Sequence, residues 1–202
     1  MKLYFRPLAC SLATRIALYE AGVEADYVRV DSKTKLTSDG RHYPDVFALD
    51  QVPLLECEHG FISENAAILQ YVAERFPDAR LAPVDTLGRA RLRQWLSYIS
   101  SELHKPIFTP LFDRGAPEDV KRYALAKVPS RLGYLTDQLG ERRHLLGEFS
   151  VADAYLFAIL NWKAVTPVEL PPALARYHAE LGNRPSVARA FAEERELYLA
   201  ER

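Results

Sequence analysis

The chain has 202 residues, 49% apolar and 26% charged, enough to bury roughly 70% of the surface its unfolded form would expose. That balance excludes both a disulfide-stapled miniature scaffold and a disordered segment. Its 26 basic and 27 acidic side chains nearly cancel, so no strong field is available to hold nucleic acid or an anionic membrane, and neither is expected as a partner. Only two cysteines occur, Cys10 and Cys57, too few for a secreted disulfide framework. Arg6 and Pro7 arrive before any leader-like apolar core, and no apolar run approaches the roughly 20 residues of a membrane span. The cytoplasm is the expected location.

Lys2 to Phe5 reads as a strand stopped by Pro7. Ser11 to Glu20 reads as a helix, with Leu12, Ile16 and Tyr19 at helical spacing and Gly22 just beyond its end. A second strand at Tyr27 to Val30 completes a βαβ-like opening and implies a parallel pair. After a polar loop at 31–41 and an irregular segment at 43–49, Val52 to Leu55 and Phe61-Ile62 flank Gly60 as a β-hairpin. From Ser63 the pattern turns helical and ends at Pro77. The stretch 78–85 reads as a linker, dividing an α/β unit at 1–77 from an all-α unit at 86–202. Helical blocks are predicted at Thr86–Phe112, Glu118–Leu139, Val151–Trp162, Pro171–Leu181 and Pro185–Leu199. Ser150 and Asp153 have capping-box spacing, a structural device at the start of the third block.

Cys10 falls between the first strand and the first helix, where unpaired backbone N–H groups favour a thiolate. A low-pKa Cys10, alkylated faster than Cys57, is therefore one expectation, and a buried inert thiol is the other. No resolving cysteine follows in Cys10-Ser11-Leu12-Ala13, so redox chemistry would need a second thiol from a ligand. Ser11 is either a second donor or the helix cap. Pro53 opens a strand, and a cis Val52-Pro53 bond would turn the polar groups of Val52 outward, whereas a trans proline at a strand edge is the commoner arrangement. Ser63-Glu64-Asn65 at a helix start can cradle a carboxylate or simply cap the helix. His104-Lys105-Pro106 interrupts a long helix, where proline predicts a kink. Cys57 and His59 have a metal-like spacing without a second pair, so no metal is expected.

In this order, strand-Cys10-helix, Gln51-Val52-Pro53, Ser63-Glu64-Asn65 and Glu102-Leu103-His104-Lys105, the chain resembles the beta class of bacterial glutathione transferases. Ala9-Cys10-Ser11-Leu12, Gln70-Tyr71, Trp95-Leu96 and Val151-Ala152-Asp153-Ala154-Tyr155-Leu156-Phe157 extend the likeness along essentially the whole chain. The resemblance implies a thioredoxin-like α/β amino-terminal domain, an all-α carboxy-terminal domain, a homodimer, and glutathione as co-substrate. It assigns glutathione contacts to Cys10, Lys35, Val52, Glu64, Asn65, Ser97, Ser101, His104 and Lys105, with Cys10, Ser11 and His104 nearest the chemistry.

Phe47-Ala48-Leu49-Asp50 departs from the family's usual Asn-Pro-Lys-Gly and lacks its turn-forming glycine. Asn65 stands where serine or glycine is common, and Ser97 where asparagine is frequent. Phe5 lacks the hydroxyl that other transferase classes use, which excludes a tyrosine mechanism there. The implied activity is conjugation of the glutathione thiolate to a small, mostly apolar electrophile. A thiol–disulfide reductase using Cys10, or a non-catalytic regulatory protein on the same scaffold, are the alternatives.

Overall fold

The computed structural model describes residues 1–200. Its amino-terminal half runs β1 (Lys2–Phe5), α1 (Leu12–Glu20), β2 (Asp26–Arg29), α2 (Tyr43–Val46), β3 (Leu54–Cys57), β4 (Gly60–Ser63) and α3 (Asn65–Arg75). The strands form one sheet in the order β2-β1-β3-β4. β1 is parallel to β2, with Leu3 opposite Tyr27, and antiparallel to β3, with Leu3 opposite Leu55. The βαβ opening and the hairpin thus fall where the apolar pattern places them. The predicted helix start at Ser63 shifts: Ser63 ends β4, and Glu64, at φ 68°, turns the chain into α3.

The second half is helical. α4 (Thr86–Tyr98) passes into a π-helical stretch, Ile99–Phe108, and then α5 (Thr109–Phe112), α6 (Glu118–Leu139), α7 (Val151–Leu160), α8 (Pro172–Gly182) and α9 (Pro185–Ala200). The kink expected at Pro106 takes the form of a widened helix. Proline has no N–H to give the ladder and its ring crowds the carbonyl four residues back. The turn opens around it, and the Thr109 amide returns to the His104 carbonyl, five residues earlier.

Successive β1 side chains enter different cores, as period-two geometry requires. Leu3 and Phe5 face the main core with Ile16 and Leu69, while Tyr4 joins Val28, Val30, Tyr43 and Leu54 on the other side. Burial of both faces explains why Lys2 to Phe5 shows no polar alternation. α1 is enclosed on nearly every side, from Leu12 through Leu18, because it packs against α7 and α9 as well as α3. All ten residues of α7 are buried, the burial pattern of a helix that is apolar all round.

One buried cation ties the halves together. The Arg15 guanidinium lies between the rings of Phe5 and Tyr27, 4.3 and 4.2 Å from their centroids, and pairs with Glu193 at 2.9 Å and Glu194 at 3.1 Å. Burial pushes the Glu194 carboxyl up to about 8, against the pull of Arg15 and of the Leu8 amide. That amide donates to Glu194 at 2.7 Å, and Trp162 Nε1 donates to the Leu8 carbonyl at 2.9 Å. Leu8, in the left-handed region at φ 56°, is therefore held at both polar ends by the helical half. The turn that delivers Cys10 is fixed in place by this clamp.

Candidate active site

Cys10 sits two residues before α1, and its Sγ donates to the Val52 carbonyl at 3.2 Å. The Val52-Pro53 bond is cis, which resolves the alternative left open by the sequence. The thiol itself does not match the low-pKa expectation. Its own N–H and that of Ser11 lower its pKa, as does the Lys105 ammonium, but burial outweighs them and holds the thiol at about 12. With the thiol only 7% exposed, loss of water solvation is larger than what a helix start supplies.

Labelling kinetics report this directly. At pH 8 a thiol held near 12 is ionised to roughly one part in ten thousand, and the thiolate is the reactive form. Iodoacetamide added to the ligand-free protein should therefore modify Cys57, which is more exposed, well before Cys10. Peptide mapping by mass spectrometry that finds Cys10 modified first would contradict the burial argument.

Two residues expected to line the cleft have their side chains engaged elsewhere. Ser11 is wholly buried and its hydroxyl bonds to the backbone of Arg6, with Oγ 3.3 Å from both the amide and the carbonyl. Asn65 donates from Nδ2 to the Cys10 carbonyl at 2.9 Å and accepts from Thr14 Oγ1 at 3.1 Å. Both therefore position the Cys10 turn from behind. Glu64 is exposed at the α3 start, close enough to Cys10 for its charge to push the thiol pKa up. The first amides of α3 have no earlier turn of helix to bond.

From the helical half, Lys105 is exposed and its charge is felt at Cys10. His104 is half-buried, and its Nδ1 lies 2.9 Å from the Tyr155 hydroxyl. Its ring meets Trp162 edge to face at 5.0 Å. Burial, reinforced by the Lys105 ammonium, lowers its pKa to about 4, so the imidazole is neutral near pH 7. Ser97 and Ser101 are exposed on α4 and the π-helical stretch. Val52, Glu64 and Lys105 thus act on the Cys10 thiol, and His104 joins them through Tyr155.

Lys35 pairs with Asp50 at 2.5 Å, and Asp50 also accepts from Arg6 Nη2 at 2.6 Å. Asp50 occupies the position where a glycine was missing and itself adopts φ 49°, a conformation that a short polar side chain tolerates better than most. Burial raises its carboxyl pKa, but Lys35 and Arg6 more than offset this and leave it lowered. Neither this clamp nor Tyr155 was identified from the sequence. The signal for Asp50 was an Asp standing at a turn position; Tyr155 gave none, being one apolar-pattern residue of a buried helix. Cys57 donates to the Gly60 carbonyl at 3.3 Å at the sheet margin, and His59 is exposed beside Glu58.

Residues 1–74 match the family model for the glutathione S-transferase N-terminal domain, and residues 101–194 that for the C-terminal domain. The chain is 38% identical over 199 residues to glutathione S-transferase GstA of Escherichia coli O157:H7, covering 96% of this chain and 98% of that protein. Among solved structures it is similar to a sphingomonad glutathione S-transferase complexed with glutathione, at 39% identity and TM-score 0.89, covering 96% of this chain and 98% of the other. It is also similar to the bacterial beta class glutathione S-transferase of Sphingomonas chungbukensis, at 42% identity and TM-score 0.88 over the same shares. With a four-stranded α/β half, a helical half and both family models matched in order, the chain belongs to the glutathione S-transferase family, as its resemblance to the beta class implies.

Proposed function

We propose that the cleft between Cys10 and the His104-Lys105 turn binds glutathione and presents its thiolate to a small, mostly apolar electrophile. What supports this reading is that the Val52 carbonyl accepts from the Cys10 thiol, that the charges of Glu64 at a helix start and of Lys105 from the helical half are felt at that thiol, and that the neutral His104 imidazole is bonded to Tyr155, itself within electrostatic reach of Cys10. The polar groups of Val52 pair with the peptide backbone of the ligand. The free amides of α3 and the Glu64 carboxylate hold the α-carboxylate and ammonium of its γ-glutamyl end. Lys35 retains ammonium protons beyond the one given to Asp50, and these face the glycyl carboxylate.

The ligand's thiol loses its proton to solvent, and the resulting thiolate accepts a hydrogen bond from His104 while Lys105 offsets its charge. The sulfur lone pair then forms a bond to the electrophilic carbon, and the leaving group departs with its bonding electrons. Phe108, Phe112 and Trp162 pack as an aromatic group beside His104, and the exposed ring of Phe112 gives an apolar electrophile a surface to rest on. Ser97 and Ser101 line the same side and contribute polar contacts to the ligand. A homodimer acting in the cytoplasm on toxic electrophiles completes the proposal.

The buried, protonated state of Cys10 favours conjugation over a reductase in which Cys10 itself attacks. Glutathione binding measured by calorimetry, combined with turnover of an aromatic halide and of a mixed disulfide, tests the reading. Binding with halide conjugation supports it. Disulfide reduction alone, abolished in Cys10→Ala, would replace it with the reductase, and absence of glutathione binding would refute both.

A further inference from the structure

The hydroxyl of Tyr155 is 2.9 Å from His104 Nδ1 inside a nearly water-free site, with Tyr155 itself 2% exposed. A phenol has one proton to donate and two lone pairs with which to accept. Burial leaves the proton in need of a protein acceptor, and His104 Nδ1 stands at hydrogen-bond distance from it. Were the phenol instead to accept from an Nδ1–H, its own proton would be buried without a partner. The neighbouring side chains of Ser100, from the π-helical stretch, and Asn65, from α3, act on the phenol in the sense expected of donors to its oxygen, which agrees with Tyr155 giving its proton to His104.

We propose that Tyr155 is a positioning residue that donates to His104 Nδ1 and so fixes the neutral imidazole as the tautomer carrying its proton on Nε2. With Nδ1 taken by Tyr155, Nε2 is the nitrogen left to donate to a ligand. The proposal rests on the reading that His104 serves the glutathione thiolate, and gives it a reason. A neutral imidazole donates through only one nitrogen, so the wrong tautomer would present a lone pair to an anionic sulfur. Tyr155 also stands between the halves of the molecule, because α7 packs against α3 as well as against the π-helical stretch that carries His104.

Long-range ¹H–¹⁵N correlation spectra of histidine-labelled protein read the tautomer without any ligand. The chain has five histidines, and the His104 signals are identified as those lost in His104→Asn. In the wild-type protein His104 should appear as the Nε2-protonated form. Tyr155→Phe, which keeps the ring, should populate both tautomers and lower kcat/KM for conjugation about 3- to 10-fold, the value of one neutral hydrogen bond. Should Tyr155→Phe fold poorly, Ser100→Ala, which removes one donor to the phenol oxygen, should shift the tautomer in the same direction by less. An Nδ1-protonated His104 in the wild-type protein, or an unmoved tautomer in both variants, overturns the proposal. If instead the tautomer behaves as stated but His104→Ala binds and ionises glutathione normally, it is the assignment of His104 to the thiolate that fails.

Discussion

Asp153→Ala should lower stability by about 4–6 kcal/mol, the largest loss expected of any single substitution in the helical half. The carboxylate is fully buried and is the meeting point of four donors. Oδ2 accepts from the Ser150 amide and hydroxyl, both at 2.9 Å, while Oδ1 accepts from the Leu145 amide at 2.9 Å and the Tyr177 hydroxyl at 2.6 Å. Truncation leaves these donors buried without an acceptor, each costing about 1–3 kcal/mol before relaxation. The melting temperature should fall by roughly 10–20 °C for a chain of this size. Ser150→Ala gives the contrast, since it removes one hydroxyl of the capping box and should cost only about 1 kcal/mol. If thermal or urea unfolding of the two variants gave similar losses, Asp153 would be a helix cap and not the hub of this network.

His104→Ala should reduce kcat/KM for glutathione conjugation by roughly 10- to 150-fold with little change in thermal stability, because one hydrogen bond to a charged sulfur is worth about 1.5–3 kcal/mol. The pH dependence of that loss is also specified. With the imidazole pKa lowered by burial to about 4, His104 is neutral from pH 6 to 9 and its contribution does not titrate across that window. The ratio of wild-type to variant rates should therefore stay level over this range and change only on approach to the imidazole pKa. A ratio that collapsed between pH 6 and 7 would mean that the charged imidazolium is the active form.

Much of the scaffold could be read from residue patterns because local chemistry decides it. The short apolar run after Lys2, proline and glycine at element ends, and Ser150 with Asp153 three residues apart each act within one turn or strand. The lowered pKa assigned to Cys10 did not hold for the opposite reason. A helix start is visible in sequence, but the burial that outweighs it comes from packing with chain segments far away, among them Val52 and the helix α7 that carries Tyr155. Likewise, the Arg15 clamp joins residues 178 positions apart, and no local period marks it. Pro106 announced an interruption of the helix, yet whether the ladder would bend or widen depended on the packing around it. Asn65 and Ser11 were recognised by residue type, but their side chains turned toward the Cys10 backbone because buried carbonyls and amides there needed partners.

The central claim, that this cleft binds glutathione and holds it as a thiolate, is tested most directly by following the ultraviolet absorbance of the thiolate as bound glutathione is titrated with acid. The titration is best done in a Cys10→Ala background, so that the only thiol in the cleft is the ligand's. Bound glutathione should ionise well below the ordinary thiol value of about 8.5, and the shift should shrink when His104→Ala is added. A bound thiol that titrates like free thiol, with or without His104, would contradict the account.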